Sequence, residues 1–135
     1  MKYILFLIVS CISLLSNPFN NAQKAVELAV EQNKLIFSIV VSDTCEHCSR
    51  QMYDIKNNKK LKSFLLKNYI ILIMNVNKQE IPYFAGYDGI TPTLSIIDTE
   101  GNTVTRMSGR VESEELYNYL KNINSLWIKR QNKEN

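Results

Sequence analysis

Two cysteines three positions apart, in Cys45-Glu46-His47-Cys48, stand where an apolar run gives way to a polar stretch of helical character. That junction limits the folds open to the chain. The residues before it (Leu35, Ile36, Phe37, Ile39, Val40, Val41) are strand formers without polar alternation, the pattern of a strand buried on both faces. Ser49, Arg50, Gln51, Met52, Tyr53 and Asp54 behind it read as helix. The pair therefore sits where a strand hands over to a helix. There the first helical turn offers unpaired amide N–H groups and the positive end of the helix dipole. Both favour thiolate over thiol at Cys45. Cys48, one turn further on, is near enough to close a disulfide and better shielded, so the spacing describes a nucleophile and a resolving thiol.

Competing readings of the pair are an inert structural disulfide and half a zinc site. Cysteines this close in sequence enclose too small a loop to constrain much chain. A tetrahedral zinc site needs four N, S or O ligands. The chain has one histidine and, besides the pair, only Cys11, so a complete soft site would require a second chain and no metal is expected. Between the cysteines, a protonated His47 would stabilise a Cys45 thiolate, whereas Glu46 would oppose it unless the carboxylate faces water. The bland alternative for His47 is a solvated helix residue.

With 135 residues, 45% hydrophobic and 21% charged, the chain has material for one globular domain. A net charge of +3 is too weak to argue for nucleic acid. Met1-Lys2 is followed by an almost wholly apolar Tyr3 to Leu15 and then by Ser16, Asn17 and Pro18, the pattern of a secretory signal with cleavage near Asn21 or Ala22. The apolar run is short for a membrane span. An uncleaved anchor is one alternative. Another is lipidation of Cys11, since Ile8-Val9-Ser10-Cys11 resembles a lipoprotein cleavage box, but Ile12, Leu14 and Leu15 beyond it stay apolar. The expected organisation is a leader over 1–22, a folded domain over 23–127 and a polar tail over 128–135. The expected location is the periplasm or another exported, disulfide-permissive compartment.

Along the chain, Asn21 caps an expected helix from Ala22 to Gln32. The strand Leu35 to Val41 follows, then a helix to about Lys56 interrupted at Asn57-Asn58, a second helix over Lys60 to Lys67, and a buried strand over Tyr69 to Val76. Strand, helix, strand in that order implies parallel pairing through a right-handed crossover. Pro82, Gly86 and Gly89 punctuate an irregular stretch with a short helix near Ile81 to Tyr87, in which Tyr83, Phe84 and Tyr87 are expected in the core, the alternative being a rim on the exposed face near the cysteines. Thr93 to Ile97 is a third strand, Asp98 to Asn102 a hairpin turn, and Thr103 to Met107 the antiparallel return. Glu112, Ser113, Glu114 and Glu115 open a last helix with Leu116, Tyr119, Leu120 and Ile123 on its apolar face, and Lys129 to Asn135 is expected to fray.

Taken in order, the C-x-x-C after a buried strand, Gly89-Ile90-Thr91-Pro92-Thr93 leading into the next strand, the Asp98 to Asn102 hairpin and Gly109 ahead of the last helix resemble the thioredoxin superfamily, and most of all its exported bacterial thioredoxin-like proteins. The resemblance covers roughly Ala22 to Ile123. It implies an α/β thioredoxin-like fold with a central mixed sheet of about four strands flanked by helices on both faces. It also implies a cis Thr91-Pro92 bond facing Cys45, with backbone beside it pairing to a substrate peptide like an added strand. The activity implied is thiol–disulfide oxidoreduction through Cys45 and Cys48, with no organic cofactor. The implied partners are cysteine-containing client proteins and a membrane or soluble thiol electron donor or acceptor, the protein itself being a monomer. Two other readings stand beside it: a dedicated reductant in cytochrome maturation or sulfur oxidation, and a non-catalytic binding or chaperone module. The chain departs from cytosolic thioredoxins in carrying Thr44 before the first cysteine, Glu46-His47 between the two, Ile39 where those reductases bury an acid, and Tyr53 where they kink the helix with proline. A histidine directly before the second cysteine is instead similar to periplasmic thiol oxidases, whose large helical insertion is missing here.

Overall fold

The computed structural model describes residues 21–135; residues 1–20 of the expected leader, Cys11 among them, lie outside that range. Helix α1 (Ala22–Gln32) begins where Asn21 turns its side-chain oxygen onto the N–H groups of Gln23 and Lys24, at 3.0 and 3.3 Å. It ends at Asn33 in a left-handed conformation, and the chain turns into strand β1 (Leu35–Val41). Helices α2 (Glu46–Asn57) and α3 (Lys59–Asn68) lead to strand β2 (Tyr69–Asn75). A single 3-10 turn (Tyr83–Ala85) precedes strands β3 (Thr93–Ile97) and β4 (Thr103–Ser108), and helix α4 (Ser113–Glu134) closes the chain.

The strands form one mixed sheet in the order β2-β1-β3-β4, with β1 parallel to β2 and antiparallel to β3, and β3 antiparallel to β4. Because β1 is central, its side chains feed both faces in alternation. Leu35, Phe37 and Ile39 join Leu94 and Ile96 against Ile55, Leu61, Leu65, Leu116 and Leu120 of α2, α3 and α4. Ile36 and Val40 join Leu72 and Met74 against Ala25 and Ala29 of α1 and Ala85 of the 3-10 turn. Each fully buried side chain of this size contributes about 1.5–3 kcal/mol, so the unbroken apolar run of β1 is what makes a two-sided sheet favourable.

Three expectations need correction. Tyr83 is not core but wholly exposed, because a 3-10 helix of one turn can present only one side to the sheet and Ala85 takes that place; Phe84 and Tyr87 are half-buried. The tail from Lys129 does not fray, since α4 runs to Glu134. The Trp127 indole N–H donates to the Asn33 carbonyl at 3.4 Å, and the Asn33 amide donates to Gln131 Oε1 at 3.2 Å, which ties these last turns to the end of α1. The break between α2 and α3 is narrower than Asn57-Asn58: the single residue Asn58 ends one helix with its backbone N–H on the Asp54 carbonyl and caps the next by accepting from the Leu61 N–H at 3.0 Å.

Candidate active site at the start of helix α2

Cys45 is the N-cap of α2, in extended backbone geometry, and its Sγ accepts from the Cys48 N–H at 3.1 Å. The sulfur thus lies where the helix presents unpaired amide donors and its positive dipole end, the environment that lowers a thiol's pKa. Cys45 is half-buried whereas Cys48 is only 3% exposed, and the two are joined as a disulfide. The outer sulfur can be reached by another molecule; the inner one is shielded.

The Thr91-Pro92 bond is cis and faces Cys45, whose Sγ lies 3.4 Å from the Thr91 carbonyl oxygen. Thr91 and Ser42 share a hydroxyl hydrogen bond of 3.2 Å, joining this loop to the segment that leaves β1. The Pro92 carbonyl accepts from the Gly109 N–H at 2.8 Å, where Gly109 takes a φ of 90° that disfavours any side chain. The approach to Cys45 is pinned as well: the Asn75 amide donates to Asp43 at 2.7 Å, while the Asp43 N–H donates to Asn77 at 2.9 Å.

The two residues between the cysteines point outward. Glu46 is exposed and ion-paired to Arg50 at 3.0 Å, one turn along α2, so its charge is turned to water and to a cation rather than to the sulfur. His47 is exposed, and among the described residues it has no hydrogen-bond or ion-pair partner. Ile39 is fully buried and offers no proton acceptor. Among the described residues no group of three or more His, Cys, Asp or Glu is placed to hold a metal.

Sequence reasoning placed Cys45, Glu46, His47, Cys48, Thr91 and Pro92, and the fold brings all six together at one end of the sheet. It passed over Gln51, whose amide is fully buried and pairs with the backbone of Val111. The signal was present: a polar residue stands in the buried stripe of α2, between Cys48 and Ile55. Ser42, Asp43 and Asn75 carried no such signal, because their partners are distant in sequence; Gly109 was singled out ahead of the last helix, but its contact with Pro92 was not legible.

Fold and site together define a class, a thioredoxin-fold protein with a C-x-x-C disulfide of the thiol–disulfide oxidoreductase type. The chain belongs to the thioredoxin-like domain family, whose model matches residues 22–124. No curated protein matches it by sequence. Among solved structures it is similar to a thioredoxin from Thermus thermophilus, at 18% identity and a TM-score of 0.67, over 80% of this chain and 87% of that one. A disulphide isomerase from Xylella fastidiosa gives 15% identity and a TM-score of 0.61, over 75% and 86% of the two chains. A DsbH oxidoreductase gives 20% and 0.58, over 84% and 87%. At these identities the likeness is one of fold.

Proposed function

We propose that the protein is an exported thiol–disulfide oxidoreductase that exchanges disulfides with cysteine-containing client proteins, acting as a monomer without an organic cofactor. The observation that carries this reading is the pairing of a half-exposed helix-capping Cys45 with a shielded Cys48, set against a cis-proline loop. In the reducing direction the Cys45 thiolate attacks one sulfur of a client disulfide; that bond breaks, and the departing client thiolate takes up a proton. Cys48, once deprotonated, attacks Cys45 in the mixed disulfide and releases the second client sulfur as a thiol. Two electrons have then passed from the protein to the client, leaving the Cys45–Cys48 disulfide, and a thiol donor in a membrane or in solution restores the dithiol. Run backwards, the same steps oxidise a client. Thr91 and Pro92 would hold the client peptide as an added strand beside Cys45. Export to a periplasm or similar compartment is supported by the Met1 to Ala22 sequence, and the positive-inside charge of such a leader here is Lys2 alone.

The test is reduction of insulin with dithiothreitol as electron source, together with the equilibrium potential against glutathione. A rate well above the uncatalysed background supports the reading; a rate equal to background leaves a binding module as the better account. The potential assigns the direction, because about 30 mV corresponds to about 1.4 kcal/mol for a two-electron couple.

A further inference from the structure

We propose that Gln51 is a positioning residue that fixes the client-docking loop at Thr91-Pro92 relative to the helix carrying Cys48, an inference that rests on the oxidoreductase reading above. Gln51 stands one turn after Cys48 on the buried side of α2 and has no exposed surface. Its amide engages one residue in both directions: Nε2–H donates to the Val111 carbonyl at 3.2 Å, and Oε1 accepts from the Val111 N–H at 2.7 Å. Two residues earlier, the Gly109 N–H donates to the Pro92 carbonyl at 2.8 Å. The short segment from Gly109 to Val111 is therefore held by α2 at one end and holds the proline loop at the other.

A second grip lies one turn along the same helix. Asp54 accepts from Arg110 Nη2 and Nε, at 2.7 and 3.0 Å, and Arg110 Nη1 donates to Glu112 at 2.9 Å. Successive turns of α2 thus fasten consecutive residues of the segment, the inner grip through a neutral amide and the outer one through charge. An apolar side chain of the same length at position 51 would fill the volume but leave the N–H and C=O of the half-buried Val111 without these two partners, so the segment would move to find new ones. Pro92, held through Gly109, would move with it.

Displacing the loop should harm docking of a peptide while sparing a disulfide too small to need it. For Gln51→Met, KM for a disulfide-bonded peptide should rise about 10-fold with kcat changed less than about twofold, while the rate with the small aromatic disulfide DTNB stays within about twofold of wild type. Gln51→Glu supplies the same reading if Gln51→Met does not fold. In acid its protonated carboxyl can donate to the Val111 carbonyl and accept from the N–H, so peptide KM relative to wild type at the same pH should return toward unity. At alkaline pH the carboxylate cannot donate, and the defect should reappear. The ionisable groups around it, Cys48 one turn earlier and Asp54, Arg110 and Glu112, are present in wild type and variant alike, and the DTNB rate at each pH reports any effect of the new carboxyl on the cysteines themselves. Folded variants with unchanged peptide KM, or with peptide and DTNB rates falling in step, overturn the positioning role while leaving the oxidoreductase reading intact. Wild-type protein inert toward both substrates overturns both.

Discussion

At the scale of single residues, the two cysteines differ in one respect that matters for exchange: Cys45 can be reached and Cys48 cannot. Cys48→Ser should therefore accumulate mixed disulfides with clients, whereas Cys45→Ser should trap few. Non-reducing gels of tagged variants, with the captured species identified by mass spectrometry, decide this; equal trapping by the two would refute the assignment. His47 offers a subtler test. It is exposed, so any field it exerts on Cys45 is weakened by water. Replacing it by Tyr should shift the potential modestly toward a stronger reductant. Glu46→Gln should move the potential in the opposite sense and by less, because Arg50 already neutralises much of that charge. Identical potentials for wild type and the His47→Tyr variant would leave His47 a solvated helix residue.

At the scale of elements, the junction between α2 and α3 rests on one side chain. Asn58 terminates α2 and caps α3, and the neighbouring Asn57 returns its amide to the Tyr53 carbonyl at 2.8 Å. Asn58→Ala should cost about 1 kcal/mol in urea denaturation, and Asn58→Gly only a few tenths, since glycine tolerates the cap backbone and lets water reach the free amides. Equal losses for the two substitutions would show that packing rather than capping sets the junction. The hairpin between β3 and β4 is specified as locally: Asp98 accepts from the N–H groups of Glu100 and Asn102, each at 2.9 Å, while Gly101 supplies a positive φ.

Across the whole molecule, the helical layer and the sheet are joined by Tyr69, at the start of β2. Its hydroxyl donates to the Leu120 carbonyl of α4 at 2.6 Å, and its ring lies edge-on to Phe37. Burial first, and then the neighbouring Tyr119, push the Tyr69 phenol well above its ordinary value near 10. A pKa raised in the fold means that the native state favours the neutral phenol, so the stability this group contributes is complete below about pH 10 and is lost as pH rises past that value. Tyr69→Phe should be less stable than wild type by about 1 kcal/mol at neutral pH through the lost hydrogen bond. Above about pH 10 the gap should narrow, because the variant has no phenol there to ionise. Chemical denaturation at neutral and alkaline pH measures both, and a gap that stays constant or widens would contradict the burial argument.

The sequence by itself determined whatever depends on neighbours along the chain. Continuous apolar runs marked β1 and β2, and helical spacing of apolar residues marked the helices; Asn21 and the Asp98 to Asn102 turn marked their own ends; and the cysteine spacing at a strand-to-helix junction marked the site. The mixed sheet followed from the order of elements, because a parallel pair needs a crossover and a hairpin forces antiparallel return. What only the tertiary structure decided are the pairings between residues that meet across the fold. Gln51 could not be matched to Val111, nor Asp54 to Arg110, since nothing in a polar side chain names a partner some sixty positions away. Nor could the sequence show that Glu46 turns to Arg50, that Tyr83 stands free in water, or that the polar end of α4 is held by Asn33, since each outcome depends on where a neighbouring element lies.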